Sequence, residues 1–378
     1  MSVILVRPRA SGGLAAHVDQ EKHELAAAGV DVREAPVQIQ DRPHLLGDLR
    51  TVRALRQCVR AAPQPVAVHA HGLRAGALSA LALPRRGPVL LAVTLHNRTV
   101  GSSLVRTVGR ALLQVVVSRA NTILAVSPDL AQDAERAGAR DVRHAVVPAP
   151  ERSGGSGDSG ASGDVPPGGD RAVGTAAAAD AVVVARADGA STTHHGADEG
   201  TGTDTVLEVL VVARLAPQKG LHDLLDAAAL LRDGAPLRIR VAGDGPLHRE
   251  LAARIIHEQL PVELLGRRDD VPALLDAADL MVSAALWEGQ PVWLQEALRA
   301  GRAIIATDAG GTRWVTGEAA QLVPVGDAPA LASAIEHHRS SGVRRAAEAA
   351  SRHRAAQLPT ASDMVRQVSQ VLSLDRER

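Results

Sequence analysis

The chain has 378 residues, more than a single hydrophobic core usually serves, so it reads as two domains of ordinary size. Its 42 basic and 42 acidic side chains cancel, which argues against nucleic acid as a partner and leaves only peripheral membrane contact open. The lone Cys58 excludes an internal disulfide or a cysteine-rich metal site and fits a reducing cytoplasm, while no apolar run reaches the roughly 20 residues that cross a bilayer. Arg7 interrupts the first apolar run too early for a signal peptide.

Apolar residues make up 46% of the chain, yet Phe and Tyr are absent and there are 3 Trp, so the core must be Ala, Val, Leu and Ile. The first stretch alternates β-branched runs with helical patterns: Val3 to Val6, a helix over Leu14 to Ala28 closed by Gly29, then Val30 to Val37. Further strands are predicted at Val66 to Ala70, Val89 to Leu95 and Thr122 to Val126, each followed by an Ala-, Leu- and Arg-rich helix. Ser127-Pro128-Asp129 is a helix start and Gly138 its stop.

From Glu151 to Asp204 the texture turns to Gly, Ser, Ala and Asp, which predicts a disordered linker or insertion; His194-His195 within it read as solvated rather than metal-binding. The alternation restarts with Val206 to Leu215, Leu237 to Ala242, Val262 to Leu265, Leu280 to Ser283 and Ala303 to Thr307, with helices between them. The tail from Pro329 to Leu374 reads as two or three amphipathic helices.

In open parallel sheets ligands bind beyond the carboxyl ends of the strands, so residues just after strands carry the functional argument. Arg214 and Lys219 flank a strand-to-helix loop where two cations can hold a diphosphate, and Lys219 is one of only two lysines, with Lys22. Two solvated surface charges would read the same way. Glu288 and Glu296 form a Glu-x7-Glu pair, the first on a loop and the second inside the helix that follows Pro291. A carboxylate accepts two hydrogen bonds from a sugar diol or stabilises positive charge at an anomeric carbon. Gly310-Gly311 allow close backbone approach, whether to a ligand or in a tight turn. Gly243-Asp244-Gly245-Pro246 misses the dinucleotide fingerprint because His248 takes its last glycine position, and reads as a turn. In the first half, Gly12-Gly13 end the first strand-to-helix loop. His71 and His96 each follow a strand and are candidates for acceptor or sugar binding, whereas His69 reads as a packed strand residue.

In this order and spacing, Gly12-Gly13, the Val-His-Ala-His-Gly segment ending at Gly72, Thr94-Leu95-His96-Asn97, Arg214 with Lys219-Gly220, Gly243 to Pro246, and the Glu-x7-Glu segment leading to Gly310-Gly311 resemble the retaining GT-B glycosyltransferases of the group-1 (family 4) class. The resemblance implies an α/β fold of two Rossmann-like domains around a central cleft. Residues 1–150 would form the acceptor domain, 205–358 the donor domain, and 359–378 a helix able to pack back on the first. It further implies transfer of a hexose from a nucleotide-diphosphate sugar to an unidentified acceptor, with retention of configuration. Arg214 and Lys219 would neutralise the diphosphate, Glu296 would bind the ribose, and Glu288 with His96 would stand at the reacting centre. Gly289, Gln290 and Val292 would hold the transferred sugar, Leu264 and Arg267 would border the base, and Gly13 and Gly311 would admit the phosphates. His71 would face the acceptor. The sequence departs from the family at Gln290-Pro291, where Phe-Gly is usual. No metal and no resident cofactor are implied, since no Asp-x-Asp occurs and the two cations can do the charge work. A nucleotide-sugar epimerase, a phosphorylase or a catalytically silent nucleotide-sugar-binding protein remains an alternative at this point. Oligomeric state is not legible.

Overall fold

The computed structural model describes residues 2–9, 13–39, 44–84, 89–99, 102–149 and 206–374. The expected linker, Gly12 and His194-His195 lie outside the described residues.

The first sheet contains β1 (Ser2–Val6), β2 (Asp31–Glu34), β3 (Val66–His71), β4 (Leu90–Leu95), β5 (Thr122–Ala125) and β6 (Val142–His144), in the order β2-β1-β3-β4-β5-β6. The second contains β7 (Leu207–Val212), β8 (Leu237–Ala242), β9 (Val262–Gly266), β10 (Leu280–Ser283), β11 (Ala303–Thr307) and β12 (Gln321–Val323), in the order β12-β11-β10-β7-β8-β9. Every pairing within them is parallel. Helices cover both faces, which is why central strands such as β1 (SVILV), β3, β5 and β11 are buried at every position instead of alternating. The result is two Rossmann-like α/β layers, as the alternation and the resemblance implied.

Each sheet reverses its strand order once, between β1 and β3 in the first and between β7 and β10 in the second. At such a point neighbouring loops diverge to opposite faces and leave a crevice beyond the strand ends. The second sheet carries an aliphatic cluster on either face, one around Leu224, Val241 and Ile305 and one around Met281, Leu294 and Ile304.

The final helix, Ala361–Val371, begins with a capping box in which Thr360 and Asp363 exchange hydrogen bonds. It packs against the helix Gly13–Ala27, and its Met364, Val368 and Val371 belong to the core of the first half. Among the described residues no helix is long and apolar enough to cross a membrane.

Candidate active site

The two loops that leave the second switch point meet. After β7 the chain makes a 3-10 turn, Pro217–Lys219, and enters the next helix through Gly220 at φ +60°. A Cβ on Gly220 would stand 1.8 Å from the Ala284 carbonyl oxygen, just past β10, so only glycine lets these segments touch. The contact brings Lys219 to the segment Trp287-Glu288, where its ammonium donates to Glu288 Oε1 at 2.6 Å. Both side chains are largely shielded, at 18% and 9% exposure, which strengthens the ion pair relative to one in open solvent. Arg214, at the start of the same strand-to-helix loop, is exposed and makes no ion pair among the described residues. Glu296 lies half-buried on the helix Val292–Arg299, which starts directly after this loop.

The glycines after β11 serve this loop. Gly311 donates its N–H to the Glu288 carbonyl at 2.9 Å, and Cβ atoms on Gly310 and Gly311 would fall 2.0 Å and 1.9 Å from the Glu288 and Gly289 carbonyl oxygens. The Gly311 amide is therefore occupied by protein. Gly243 and Gly245 play the same part beside β7, where added Cβ atoms would collide with the Ala213 and Leu215 carbonyls.

Across the cleft, a buried polar cluster caps the carboxyl ends of β1, β3 and β4. Glu21, fully buried on the helix Gly13–Ala27, bonds His69 Nδ1 at 2.6 Å, and His69 Nε2 bonds the Thr94 hydroxyl at 2.7 Å. His71 Nδ1 faces His96 Nε2 at 3.1 Å. Burial, reinforced by neighbouring imidazoles, holds the His96 and His71 rings below the ordinary histidine range, and burial pushes His17 down to about 4. Burial also tends to raise the Glu21 carboxyl, but the charges and hydrogen bonds of His69 and His71 outweigh it and keep the group ionised.

The halves are tied around this cleft. A Cβ on Gly289 would reach to 2.8 Å from Val126 and 3.4 Å from the His96 carbonyl, which places the Glu288 loop directly against the first half. Trp287 donates its indole N–H to Asp129 at 2.8 Å. Gln295, only 1% exposed, accepts from Ala149 N at 3.0 Å and donates to the Val147 carbonyl at 2.7 Å. His144 lies on Trp314 with ring centroids 3.9 Å apart, and burial together with nearby Arg354 lowers its pKa to about 4.

Gln290, expected at the donor sugar, contacts His144 Nε2 at 2.8 Å and donates to the Ala145 carbonyl, so it links the halves. Val292 packs against the core of the first half. His71, expected to face the acceptor, has no exposed surface, whereas His96 is half-buried. Leu264 packs partly into the second core, whereas Arg267, just beyond β9, is exposed. Gly13 begins its helix in open space, with nothing within 4 Å of an added Cβ. Sequence reading missed Glu21, His17 and Gln295, whose neighbours in the chain give no sign that they are buried.

The description "Glycosyl transferase 4-like domain" matches residues 1–150, and "Glycosyl transferases group 1" matches residues 207–340. The chain belongs to the group-1 glycosyltransferases. It is 35% identical over 142 residues to the putative colanic acid biosynthesis glycosyltransferase WcaL of Salmonella typhimurium, covering 34% of this chain and 35% of that protein. It is 31% identical over 103 residues to the N,N'-diacetylbacillosaminyl-diphospho-undecaprenol alpha-1,3-N-acetylgalactosaminyltransferase of Campylobacter jejuni, covering 27% of each. The chain thus matches about a third of the length of these relatives or less. Over 99% of this chain the fold is similar to that of all of Anabaena HepE, whose structure was solved with UDP, at a TM-score of 0.67 and 18% identity.

Proposed function

We propose that this group-1 glycosyltransferase moves a hexose from a nucleotide-diphosphate sugar to an acceptor held by the first half, with retention of configuration. The observation that carries the reading is the meeting of Lys219 with Glu288, on a loop that abuts the first half at the His96 carbonyl. A cation for a departing diphosphate and a carboxylate for the sugar meet at a sheet's switch point, where ligands of such folds bind. In this reading Arg214 and Lys219 neutralise the leaving diphosphate, so that step draws on no divalent ion. Glu296 takes the ribose, and Arg267 with Leu264 borders the base. Attack comes from the face the diphosphate leaves, and the leaving phosphate accepts the acceptor proton, so no protein nucleophile is used. The reducing cytoplasm that suits Cys58 is where we place the reaction.

We assign the acceptor to a cavity of about 1030 Å³ whose lining includes Asn97 and Gln218, the chain neighbours of His96 and Lys219, together with apolar Leu113, Leu130 and Trp287 and the cations Arg98, Arg110 and Arg136. Its mixed lining fits a molecule with an apolar part and an anionic part, such as a lipid-diphosphate-linked sugar, the class named for the Campylobacter relative. Incubation with a panel of nucleotide sugars and a short-chain polyprenyl-diphosphate glycan tests both halves of the reading, with the product's anomeric configuration read by NMR. Binding of a nucleotide sugar without transfer or hydrolysis would leave the silent-binder alternative standing instead.

A further inference from the structure

Three imidazoles of the first half form a nearly equilateral triangle. Ring centroids lie 5.4 Å apart for His71 and His96, 5.5 Å for His17 and His96, and 5.8 Å for His17 and His71. Imidazole nitrogens bound to one tetrahedral zinc at ~2.0–2.1 Å stand about 3.4 Å apart, with ring centroids about 5 Å apart. His71 Nδ1 and His96 Nε2 are already at 3.1 Å, and one nitrogen from each of the three rings lies within 4.8 Å of the other two.

The surroundings complete the pattern. His17 and His71 both have Nε2 near the same oxygen, Glu21 Oε2, at 3.9 Å and 3.5 Å, and neither that oxygen nor His71 Nε2 has a hydrogen-bond partner among the described residues. Metal-bound histidines ordinarily give their second nitrogen to a carboxylate, which fixes tautomer and ring orientation. That leaves Nδ1 of each ring for a ligand, and His17 Nδ1 is buried with no hydrogen-bond partner among the described residues. Glu21 is itself anchored by His69, and His69 by Thr94.

We propose that His17, His71 and His96 form a three-histidine site for a divalent transition metal, zinc foremost, with Glu21 orienting two of the ligands. His17 and His71 are buried and His96 is half-buried, so the ion enters from the His96 side and its fourth position opens there. A bound ion occupies the His96 nitrogen, so metal and sugar transfer compete; this consequence rests on the proposed function, whereas binding itself does not.

The test is titration of the metal-stripped full-length protein with cobalt(II), followed by its ligand-field absorption. The expected result is one equivalent bound with an intense tetrahedral spectrum, displaced by zinc. His96→Ala should weaken binding at least ~100-fold and Glu21→Gln ~10–100-fold, as loss of a ligand and of its orienting partner do. His248→Ala, at an exposed histidine, should change nothing. X-ray absorption of the zinc-loaded wild type, which needs no variant, should report three imidazoles in the first shell. A weak octahedral cobalt spectrum, a tetrahedral one that survives His96→Ala, or a first shell without three imidazoles overturns the proposal.

Discussion

Lys219 Nζ and Glu288 Oε1 stand 2.6 Å apart, joining two loops that leave strands on opposite sides of the second sheet's reversal. The pair does two jobs at once. It fixes the ammonium where the proposed reaction needs a cation, and it keeps a shielded carboxylate from standing alone.

Arg214→Ala and Lys219→Met should each weaken binding of the free nucleotide diphosphate by about 1–3 kcal/mol, as expected for charge-assisted hydrogen bonds. Their stabilities should differ. Arg214 is exposed, so its loss leaves the denaturation midpoint unchanged, whereas Lys219→Met strands Glu288 and lowers it. Calorimetry and urea titration separate the two effects. Unchanged affinity in both variants would reject the assignment of the cation pair.

Gly311→Ala should destabilise by about 2 kcal/mol or more, because its Cβ meets a backbone carbonyl at 1.9 Å that no rotamer can move. Gly13→Ala meets nothing within 4 Å, so stability should stay within about 0.5 kcal/mol. If Gly13 borders the donor phosphates, that same substitution still raises KM for the nucleotide sugar. A Gly13→Ala enzyme with wild-type kinetics removes Gly13 from the site.

Gln295→Leu leaves the Ala149 N–H and the Val147 carbonyl without their partner and should cost about 2 kcal/mol. Since those bonds cross between the halves, small-angle scattering should show a broader distribution of shapes than for the wild type. Identical scattering curves would mean that other ties suffice.

His17 is held at about 4 in the fold against an ordinary value near 6.5, so the unfolded chain takes its proton first as pH falls. In the metal-free protein this removes about 3 kcal/mol of stability between roughly pH 6.5 and 4, and nothing above that window. His17→Gln should flatten the acid limb of a stability profile measured by urea unfolding. A profile as steep as that of the wild type would place the titrating group elsewhere.

The alternation of β-branched runs with Ala- and Leu-rich helices located most strands, because strands buried on both faces carry unbroken apolar runs. It missed β6 and β12, three-residue edge strands that are exposed or half-buried except at Val323 and carry no such run. Lys219 and Glu288 were legible because they follow strands directly, and position after a strand is set by local sequence. Glu21, His17 and Gln295 were not, because their burial depends on what other segments place opposite them. Glu21 is an ordinary polar helix residue until β3 presents His69 and His71 to it. Gln290 stood where the family has a different residue, and the structure gives it a different use, as a fastener between the halves.

The helix Ala361–Val371 has a consequence for biosynthesis. Its apolar side chains close the core beside the helix Gly13–Ala27, yet they are translated after the whole second half. Domains ordinarily fold in the order in which they leave the ribosome. Here the nascent first half emerges with an unsealed seam and keeps it until this helix, made after the whole second half, is fastened over it.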